Sequence, residues 1–555
     1  MALSLASDLL ALSLDAADRA SSRLCASADA ALAGLPPHQA ALAGACAALA
    51  AAWVLSHAEE AVRDALERGV ANVFFDFARS LPVVRGVVAA QKAKVLRQLE
   101  RGAQKKGGQP VVCELPERGV STEDLLAELS ERHAADARWD DGKSQMSGTV
   151  YIGSSNHTDL LCRAYALYAH SNPLHSDSFP SVGRMEREVV AMTAAALGAR
   201  AAPPGVCGGM TSGGTESILT ALRASRDYVK QRKGLKDPVE VVCCVSAHAA
   251  VYKAAQYFGM RLRVVGVDKD GRMDVAAARR AVGVRTAVVY CSAPSYPHGV
   301  MDDVQQLAAA AQGAGACCHV DACLGGFVMP FLPGVKPFGF DVEGVTTISA
   351  DTHKFGMAQK GSSVCLFRTR ELRKHSFTAV TEWSGGLYVS PGQAGSRPGG
   401  LIAQTWTAMM HVGRAGYENA ARGILRASER LQAHIAATPC LEVLHRPEAM
   451  IVAWRSSDRR LNIYELNDVL ARKGWSLNAL QAPPAIHMCL TAAHSIEIVD
   501  RLGADIKKAV EQLLADPSSG KGGNAPIYGL AGAVPDRGAI GSLLGDVQDV
   551  MLENA

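Results

Sequence analysis

A lysine stands in a polar segment between two short apolar runs in the second half of the chain. The run at 345–348 predicts a buried strand, polar side chains fill 349–354, and a second apolar run follows at 364–367. Burying a lysine amine is costly unless the amine is used, so Lys354 is a candidate for forming a Schiff base, with a pKa that the site depresses. The alternative is a surface turn with a solvated lysine.

A glycine-rich helix start is the second candidate for chemistry. The sequence TSGGTES occupies 211–217, and a helical run follows at 218–230. Small residues at a helix start leave backbone N–H groups free, and these groups, the helix dipole and a hydroxyl together bind phosphate. The segment lacks the lysine of a P-loop and the spacing of a dinucleotide fingerprint, which favours a single phosphate over a nucleotide.

Two further polar residues lie at the ends of predicted strands. His248 follows the run at 240–245 and offers a flat ring, although a lone histidine is more often a core residue. Asp321 follows the run at 317–320, and a buried aspartate needs a cation, such as a protonated pyridine nitrogen, or a set of donors. The four features together predict pyridoxal phosphate, with its phosphate on the helix start, its ring on His248 and Asp321, and its aldehyde on Lys354.

The elements that would position these residues alternate along the chain. Between 148 and about 367, short apolar runs alternate with helical patterns, which predicts an α/β fold with a large, mostly parallel sheet covered on both faces. Ligands of such sheets bind where strands end and helices begin, and the four features fall there. The predicted strands are 240–245, 263–267, 287–291, 317–320, 345–348 and 363–367.

The region after this sheet predicts a smaller α/β domain. A glycine-rich loop is expected at 382–400, and a long helix from about 414. The small domain then has predicted strands at 450–454 and 486–490 and a predicted helix at 463–473. The predicted organisation is an N-terminal segment (1–58), a basic linker and helical extension (59–146), a large cofactor-binding domain (147–413), a small C-terminal domain (414–518) and a tail (519–555).

Composition excludes several classes of protein. The chain has 555 residues, a net charge of +3 and 48% hydrophobic residues, which is typical of a globular enzyme. So small a net charge, without a zinc-finger, zipper or aromatic-plus-basic pattern, gives no reason to expect nucleic-acid binding. The 14 cysteines form no CxxC pair, so the sequence indicates no zinc site and favours a reducing compartment.

The first 58 residues differ from the rest in being rich in Ala, Leu and Ser. No charged residue stands between Asp29 and Glu59, and 40–55 is almost entirely apolar. About 20 apolar residues span a membrane, so a single-pass anchor within 40–58 is one interpretation and a buried or amphipathic helix the other. Ten lysines and arginines follow between 63 and 106. The positive-inside rule would then place the catalytic body in the cytosol.

Several longer runs carry a resemblance to a known family. They are SNPLH (171–175), TSGGTESIL (211–219), SAHAAVYKAAQYFGM (246–260), PHGVMDD (297–303), HVDACLGGF (319–327), ISADTHKFG (348–356), KGSS (360–363), GSRPGG (395–400), NALQAPPAIH (478–487) and APIYGLAG (525–532). With them the chain resembles the sphingosine-1-phosphate lyases, also called sphinganine-1-phosphate aldolases, among the group II decarboxylase-like, fold-type I pyridoxal-phosphate enzymes. The resemblance extends over about 147–532.

The resemblance implies a role for each site residue. Lys354 would bind the cofactor covalently, Asp321 would pair with the pyridine nitrogen, and His248 would stack on the ring. The cofactor phosphate would be held by Gly214, Thr215, His353 and, across a homodimer interface, by Gly399 in the GSRPGG loop. Tyr151, His175 and Lys360 match positions near the substrate phosphate, and Tyr151 and His175 match positions in proton transfer.

The chain departs from the family within the lysine segment. The family usually reads THKYGYAPKG, whereas this chain has Phe355, Met357 and Gln359. The hydroxyl of the family's second active-site tyrosine is therefore absent at Met357. This departure leaves the turnover rate and the proton-transfer path open, while the cofactor expectation stands.

The resemblance implies cleavage of the C2–C3 bond of a phosphorylated sphingoid base to a long-chain aldehyde and phosphoethanolamine. Such a substrate partitions into membranes, so the expected location is the endoplasmic reticulum membrane, with one span and a cytosolic catalytic domain. Two alternatives remain. One is an amino-acid decarboxylase of the same fold, and the other is a membrane-tethered protein that keeps the fold only for binding.

Overall fold

The computed structural model describes residues 112–136, 144–520 except 153 and 203, 537–552, and the single positions 86, 89, 93 and 97. The chain divides into two units. One consists of Ser121–Gly532, and the other of Met1–Val120 with Ala533–Ala555. The predicted anchor within 40–58 lies outside the described residues. Within the described ranges, no helix combines the length and the hydropathy that a membrane span requires.

The unit Ser121–Gly532 contains two sheets and a hairpin surrounded by helices. Its first half runs α1 (Thr122–Ala134), α2 (Ser155–Tyr168), α3 (Pro180–Ala196), β1 (Cys207–Thr211), α4 (Gly214–Lys233), β2 (Glu240–Cys244), α5 (Ala250–Phe258), β3 (Arg261–Val265), α6 (Val275–Ala281), β4 (Thr286–Ser292), α7 (Val304–Gly313), β5 (Cys317–Asp321) and two 3-10 turns (Gly325–Phe327, Met329–Phe331).

The second half of this unit begins with the two strands that flank the lysine. It runs β6 (Val345–Ala350), β7 (Ser363–Phe367), α8 (Arg370–Lys374), β8 (Thr378–Trp383), β9 (Gly386–Ser390), α9 (Gly399–Ala436), β10 (Leu441–Val443), β11 (Ile451–Ser456), α10 (Ile463–Arg472), β12 (Asn478–Gln481), β13 (Pro484–Cys489), α11 (Ile496–Ala515) and a 3-10 turn (Pro517–Gly520). The other unit contains α12 (Arg537–Leu552).

The large sheet has seven strands in the order β1-β7-β6-β5-β4-β2-β3. The pairs from β6 to β3 are parallel, whereas β7 is antiparallel to both β6 and β1. Every residue of β2, β4, β5 and β7 is buried. Strands that are buried on both faces are continuous apolar runs, which is why the sequence showed them clearly. The predicted mostly parallel sheet is confirmed.

The C-terminal part of the unit forms a four-stranded antiparallel sheet, β10-β11-β13-β12. Helices α9, α10 and α11 pack against this sheet or each other. Trp454 and Trp475 are fully buried there, and they share one continuous core with the large sheet. The predicted small α/β region is therefore present. The exact domain boundaries of the sequence analysis stay predictions.

One prediction about the segment after the lysine is wrong in part. The loop expected at 382–400 is in part a hairpin of β8 and β9, whose strands expose most of their residues and so lack a burial pattern. The prediction of a long helix from about 414 is confirmed, and a helix that was not predicted precedes it, so that both form the stretch Gly399–Ala436. Gly413 interrupts it with a φ of 59°, a left-handed conformation that favours glycine. The glycines before 401 and at 413 flank the first of these two helices, and glycines are typical of loops, which is why the sequence did not predict that helix.

Candidate functional site

Lys354 lies in the turn between β6 and β7, beside a buried carboxylate. Its Nζ is 3.0 Å from Oδ2 of Asp351, whose side chain is 1% exposed. Burial alone would lower the pKa of the Lys354 amine, but the charge and hydrogen bond of Asp351, with Cys323 and Tyr151 nearby, together raise that pKa. The expectation of a depressed lysine pKa is therefore wrong for this structure. The reason is a carboxylate three residues away, which the sequence analysis did not single out.

Asp351 is the central acid of this turn. Its Oδ2 is also 3.4 Å from His353 Nε2. Burial favours the neutral acid, but the neighbouring Lys354 and His353 lower the pKa of Asp351, so it is ionised. Its other oxygen, Oδ1, is buried without a hydrogen-bond partner among the described residues. An unsatisfied buried carboxylate oxygen indicates a position where a ligand or water donates a hydrogen bond.

The N-terminus of α4 faces this acid. Gly213 precedes the helix and no side chain caps it, so the first backbone N–H groups are free of a side-chain partner. A Cβ on Gly214 would lie 2.8 Å from Cys323 Sγ and 2.9 Å from Asp351 Oδ1. Thr215 follows in the first turn and is exposed. The predicted helix start is thus present, and its glycines leave the space that a phosphate needs.

His353 connects the helix start with the lysine turn. A Cβ on Gly213 would lie 3.2 Å from His353 Cε1. The backbone N–H of Ser362 donates to His353 Nδ1 at 3.2 Å, so the proton of the neutral ring is on Nε2, towards Asp351. Asp351 lies beside His353, Lys354 and Gly214, so these three residues lie at one site.

Asp321 ends β5 and is held by three donors. Tyr290 Oη donates to Oδ2 at 2.5 Å, and Ser349 Oγ and the Cys323 backbone N–H donate to Oδ1 at 3.2 and 3.1 Å. The strand register places Ser349 of β6 beside Asp321. Burial opposes ionisation, but nearby His248 and the donors lower the pKa of Asp321. The expected set of donors around this aspartate is confirmed.

His248 lies between β2 and α5, at the same edge of the sheet as Asp321. The backbone N–H of Ala250 donates to His248 Nδ1 at 3.2 Å, so the neutral ring carries its proton on Nε2. The ring is half-buried. It lies near enough to Asp321 to lower the pKa of that carboxyl.

Tyr151 and Lys360 both lie near Lys354. Lys360 Nζ lies over the Tyr151 ring, 4.6 Å from its centroid. Phe355 packs edge-on against the same ring, at a centroid distance of 4.9 Å. Burial raises the pKa of the Tyr151 hydroxyl. Desolvation and the charge of Lys354 lower the pKa of Lys360, which places the Lys360 ammonium group within electrostatic range of Lys354.

Two predicted site residues, His175 and Gly399, make no hydrogen bond or ion pair with Lys354 among the described residues. His175 is exposed, and its backbone N–H donates to Asn172 O. Asn172 Nδ2 donates to Ser396 Oγ at 3.0 Å, and the Gly399 backbone N–H donates to Ser171 O at 2.9 Å. The SNPLH and GSRPGG segments therefore pack on each other. Both line a cavity of about 670 Å³ whose lining residues do not include Lys354.

Residues that the sequence analysis missed fall into two groups. Asp351, Tyr290 and Ser349 are polar residues in or just after buried strands, a signal that was available in the sequence. Cys489 ends β13, far along the chain, and burial raises its thiol pKa to about 12 beside Lys354 and Lys360. Only the fold brings Cys489 to this site.

The residues present fit pyridoxal phosphate. A free helix start with room beside it suits the phosphate, an ionised aspartate with three donors suits a protonated ring nitrogen, and a lysine suits the aldehyde. Among the described residues no group of three or more His, Cys, Asp or Glu has the arrangement of a metal site. The arrangement is that of a cofactor enzyme which forms a covalent bond to a carbonyl.

Comparisons with known proteins identify the class. A family model described as the pyridoxal-dependent decarboxylase conserved domain matches residues 143–457, and the chain is thus a pyridoxal-phosphate enzyme of fold type I. A glutamate decarboxylase from Lactobacillus brevis shares this fold, with a TM-score of 0.64, 17% identity, and coverage of 74% of this chain and 96% of that one.

More similar relatives define the family within this class. The sphingosine-1-phosphate lyase of Arabidopsis thaliana is 47% identical over 85% of this chain and 87% of its own length. That of Rattus norvegicus is 40% identical over 87% and 84%. A solved sphingosine-1-phosphate lyase from Burkholderia pseudomallei covers 77% of this chain and 98% of its own, with 37% identity and a TM-score of 0.70. The chain belongs to the sphingosine-1-phosphate lyase family.

Proposed function

We propose that this chain is a pyridoxal-phosphate-dependent lyase. It cleaves the C2–C3 bond of phosphorylated long-chain sphingoid bases to a long-chain aldehyde and phosphoethanolamine. The relatives that share most of its length are named for this substrate class. The observation that carries the proposal is the second ammonium group: Lys360 lies over the Tyr151 ring, close enough to Lys354 for that charge, after burial, to lower the pKa of Lys360. A phosphorylated amine substrate requires a cation beside the reactive lysine.

The assignment of the cofactor to residues follows the fit described above. Lys354 takes the aldehyde, Asp321 the ring nitrogen and His248 the ring face, while Gly214, Thr215 and His353 at the start of α4 take the phosphate. When bound, pyridoxal phosphate supplies an electron sink for the pair released at C2 as the C2–C3 bond breaks. Asp321 supports this role because its three donors keep it ionised, and an ionised carboxylate favours a proton on the facing nitrogen.

The proton transfers fall to groups on the chain. The raised pKa of Tyr151 keeps the proton on its Oη near neutral pH, so Tyr151 acts as a hydrogen-bond donor. Removal of the 3-hydroxyl proton of the substrate needs a base, for which Lys354 Nζ and the imidazoles of His248 and His175 are the candidates. Lys354 can accept this proton only in its neutral form, which Asp351 disfavours by stabilising the charged form.

A homodimer with shared active sites is part of the proposal. The segments that carry His175 and Gly399 pack together and line the 670 Å³ cavity, whose lining residues do not include Lys354. A second copy would bring the partner's SNPLH and GSRPGG segments to Lys354. The substrate phosphate would then be held by Lys360 and Tyr151 of one subunit together with His175 from the other.

A membrane location is also part of the proposal. The long alkyl chain of the substrate partitions into a bilayer, where an anchored enzyme meets it directly. The apolar stretch within 40–58 and the basic residues that follow it support a single span, with the catalytic domain on the cytosolic side of the endoplasmic reticulum. Extraction tests this point: the full-length chain should stay with membranes in carbonate and leave them in detergent.

The experiment for the activity uses the purified full-length chain loaded with pyridoxal phosphate. Sphinganine 1-phosphate is added and the long-chain aldehyde is measured by mass spectrometry. We expect aldehyde from the natural chain and none from Lys354→Ala. Lys253→Ala is a matched control, because Lys253 is an exposed lysine that also lies over a tyrosine ring, that of Tyr257.

The alternative, an amino-acid decarboxylase, predicts a different product. Carbon dioxide release from glutamate and aromatic amino acids is measured on the same preparation. Carbon dioxide without aldehyde, in the presence of the absorbance band of lysine-bound cofactor, would replace the proposed function with decarboxylation. A chain that binds the cofactor but forms neither product would support a role in binding only.

A further inference from the structure

The two lysines of the site belong to one short segment, residues 354–360, which we call the lysine turn. Its middle residue, Met357, has a φ of 61°, a left-handed conformation that is unfavourable for any residue with a side chain. Such a conformation persists only where surrounding contacts maintain it. The path of the chain through Met357 sets where Lys360 lies relative to Lys354.

Side chains from outside the turn bind its backbone at three points. The contacts are Tyr417 Oη to Gly356 O at 2.9 Å, His157 Nε2 to Met357 O at 2.8 Å, and the Gln359 backbone N–H to Gln404 Oε1 at 3.1 Å. His157 is in the first turn of α2, and the other two residues are on α9. All three side chains are buried. Hydrogen bonds therefore hold the backbone between the two lysines against α2 and α9. Of the predicted site residues, only Gly399 lies on either helix.

His157 makes the contact at the strained residue itself. The Met357 carbonyl only accepts, so His157 Nε2 donates and the neutral ring has a bare Nδ1. That Nδ1 is buried and has no partner among the described residues, as is also true of Gln404 Nε2. A buried polar side chain that lacks one of its hydrogen bonds destabilises the fold. If His157 and Gln404 only filled space, apolar side chains would stabilise the fold at least as well. The hydrogen bonds that His157 and Gln404 make to the lysine turn explain why polar side chains occupy these two positions.

We propose that His157 and Gln404 are positioning residues that fix the distance and orientation of Lys360 relative to Lys354. His157 maintains the left-handed conformation of Met357, and Gln404 holds the N–H of Gln359, directly before Lys360. The inference rests on the proposed function in one respect, because it assigns Lys360 to the phosphate of the substrate. Neither residue touches substrate or cofactor in this proposal.

The test compares two substitutions at one position. In His157→Gln the side-chain amide nitrogen reaches about as far as the imidazole Nε2 and can still donate to Met357 O. In His157→Asn the amide has the same chemistry but is one methylene shorter and cannot reach. Both variants are made in the full-length chain, and thermal unfolding verifies that they are folded.

Three quantities are measured for each variant. They are the rate at which pyridoxal phosphate attaches to Lys354, followed by the absorbance of lysine-bound cofactor, and the kcat and KM for sphinganine 1-phosphate. We expect His157→Asn to slow attachment at least fivefold and to raise KM at least fivefold, with His157→Gln within twofold of the natural chain. Equal behaviour of the two variants, or no change in either, would overturn the proposal.

Gln404 provides an independent measurement at the other end of the turn. Gln404→Met removes the acceptor of the Gln359 N–H at similar volume, and we expect a rise in KM of at least threefold. This variant decides the question if His157→Asn does not fold, and an unchanged KM and attachment rate would then overturn the proposal. Failure of the proposed function is distinguishable, because the natural chain would then form no aldehyde while the attachment rates still report on the turn.

Discussion

The Asp351 carboxylate lies 3.0 Å from the Lys354 amine, and the carboxylate is buried while the lysine side chain is 22% exposed. Because the buried carboxylate is not stabilised by water, its charge favours the protonated form of Lys354. A protonated amine does not attack an aldehyde, so attachment of the cofactor requires Lys354 to pass its proton on. Asp351 Oδ2, 3.0 Å from the amine, is in position to receive that proton.

Neutralising the acid should therefore speed attachment at a given pH. In Asp351→Asn the burial of Lys354 is no longer opposed by a charge, and its pKa falls. We expect the pH midpoint of the attachment rate, followed by absorbance, to move down by at least about one pH unit. Asp500→Asn removes a half-exposed acid that pairs with Arg430 and should leave the midpoint unchanged. An unmoved midpoint in Asp351→Asn would show that another group controls the lysine.

A methyl group at the start of α4 should weaken cofactor binding. The Cβ of Gly214→Ala would lie 2.8 Å from Cys323 Sγ and 2.9 Å from Asp351 Oδ1, both on buried residues that have little room to move. We expect the dissociation constant of pyridoxal phosphate, measured by equilibrium dialysis, to rise about tenfold or more, equivalent to about 1.4 kcal/mol.

The control for this substitution is a glycine with open space around it. Gly423 lies within α9, and nothing stands within 4 Å of its hypothetical Cβ. Gly423→Ala should leave cofactor affinity unchanged and stabilise the chain by roughly 0.5–1 kcal/mol in thermal unfolding, because alanine loses less backbone entropy in a helix. Unchanged affinity in Gly214→Ala would mean that the phosphate lies elsewhere.

Much of this site follows from the sequence because its residues sit beside buried parallel strands. Continuous apolar runs identified β2, β4, β5, β6 and β7, and the polar residues that end or follow them were conspicuous for that reason. Asp321 and Lys354 could be predicted in this way. The strand β1 was not, because Cys207–Thr211 contains two glycines and few apolar residues and pairs at the edge of the sheet.

The parts of the site that the sequence could not predict depend mostly on contacts between distant segments. The raised pKa of Lys354 requires knowing that Asp351, on the same turn, points back to the amine rather than to solvent. The bonds from His157 to Met357 and from Gln404 to Gln359 join residues 200 and 45 positions apart. No periodicity or local motif encodes such pairs, since they arise from the packing of α2 and α9 on the turn.

The role of Lys360 as the phosphate-binding cation is tested by removing its charge. Lys360→Met keeps the aliphatic stem against Tyr151 and loses the ammonium group. We expect KM for sphinganine 1-phosphate to rise by about tenfold or more, since a charge-assisted contact to phosphate is worth roughly 1.5–3 kcal/mol. Attachment of pyridoxal phosphate to Lys354 should change little.

Lys253→Met is the matched control for this charge. Lys253 Nζ lies 5.8 Å from the Tyr257 ring centroid on an exposed face of α5, so the same change is made at a similar contact. It should leave KM and kcat unchanged. If Lys360→Met also left KM unchanged, the phosphate would have to be bound by other groups, and the observation that carries the proposed function would be lost.

The last prediction concerns acid stability, through a buried histidine of the small sheet. His487 on β13 donates from Nδ1 to Pro297 O at 3.0 Å, its Nε2 is buried and unpartnered among the described residues, and burial lowers its pKa from 6.5 to about 4. The folded state thus favours the neutral ring, whereas the unfolded chain takes up a proton near pH 6.5. The contribution to stability is complete above pH 6.5 and is lost as the pH falls towards 4. At pH 5 the loss of unfolding free energy from His487 is about 2 kcal/mol.

His487→Asn keeps a donor for Pro297 O without a titrating group, so its unfolding free energy in urea should fall less than that of the natural chain between pH 7.5 and 5. His133→Asn, at an exposed histidine, should follow the natural chain, and parallel curves for all three would contradict the prediction.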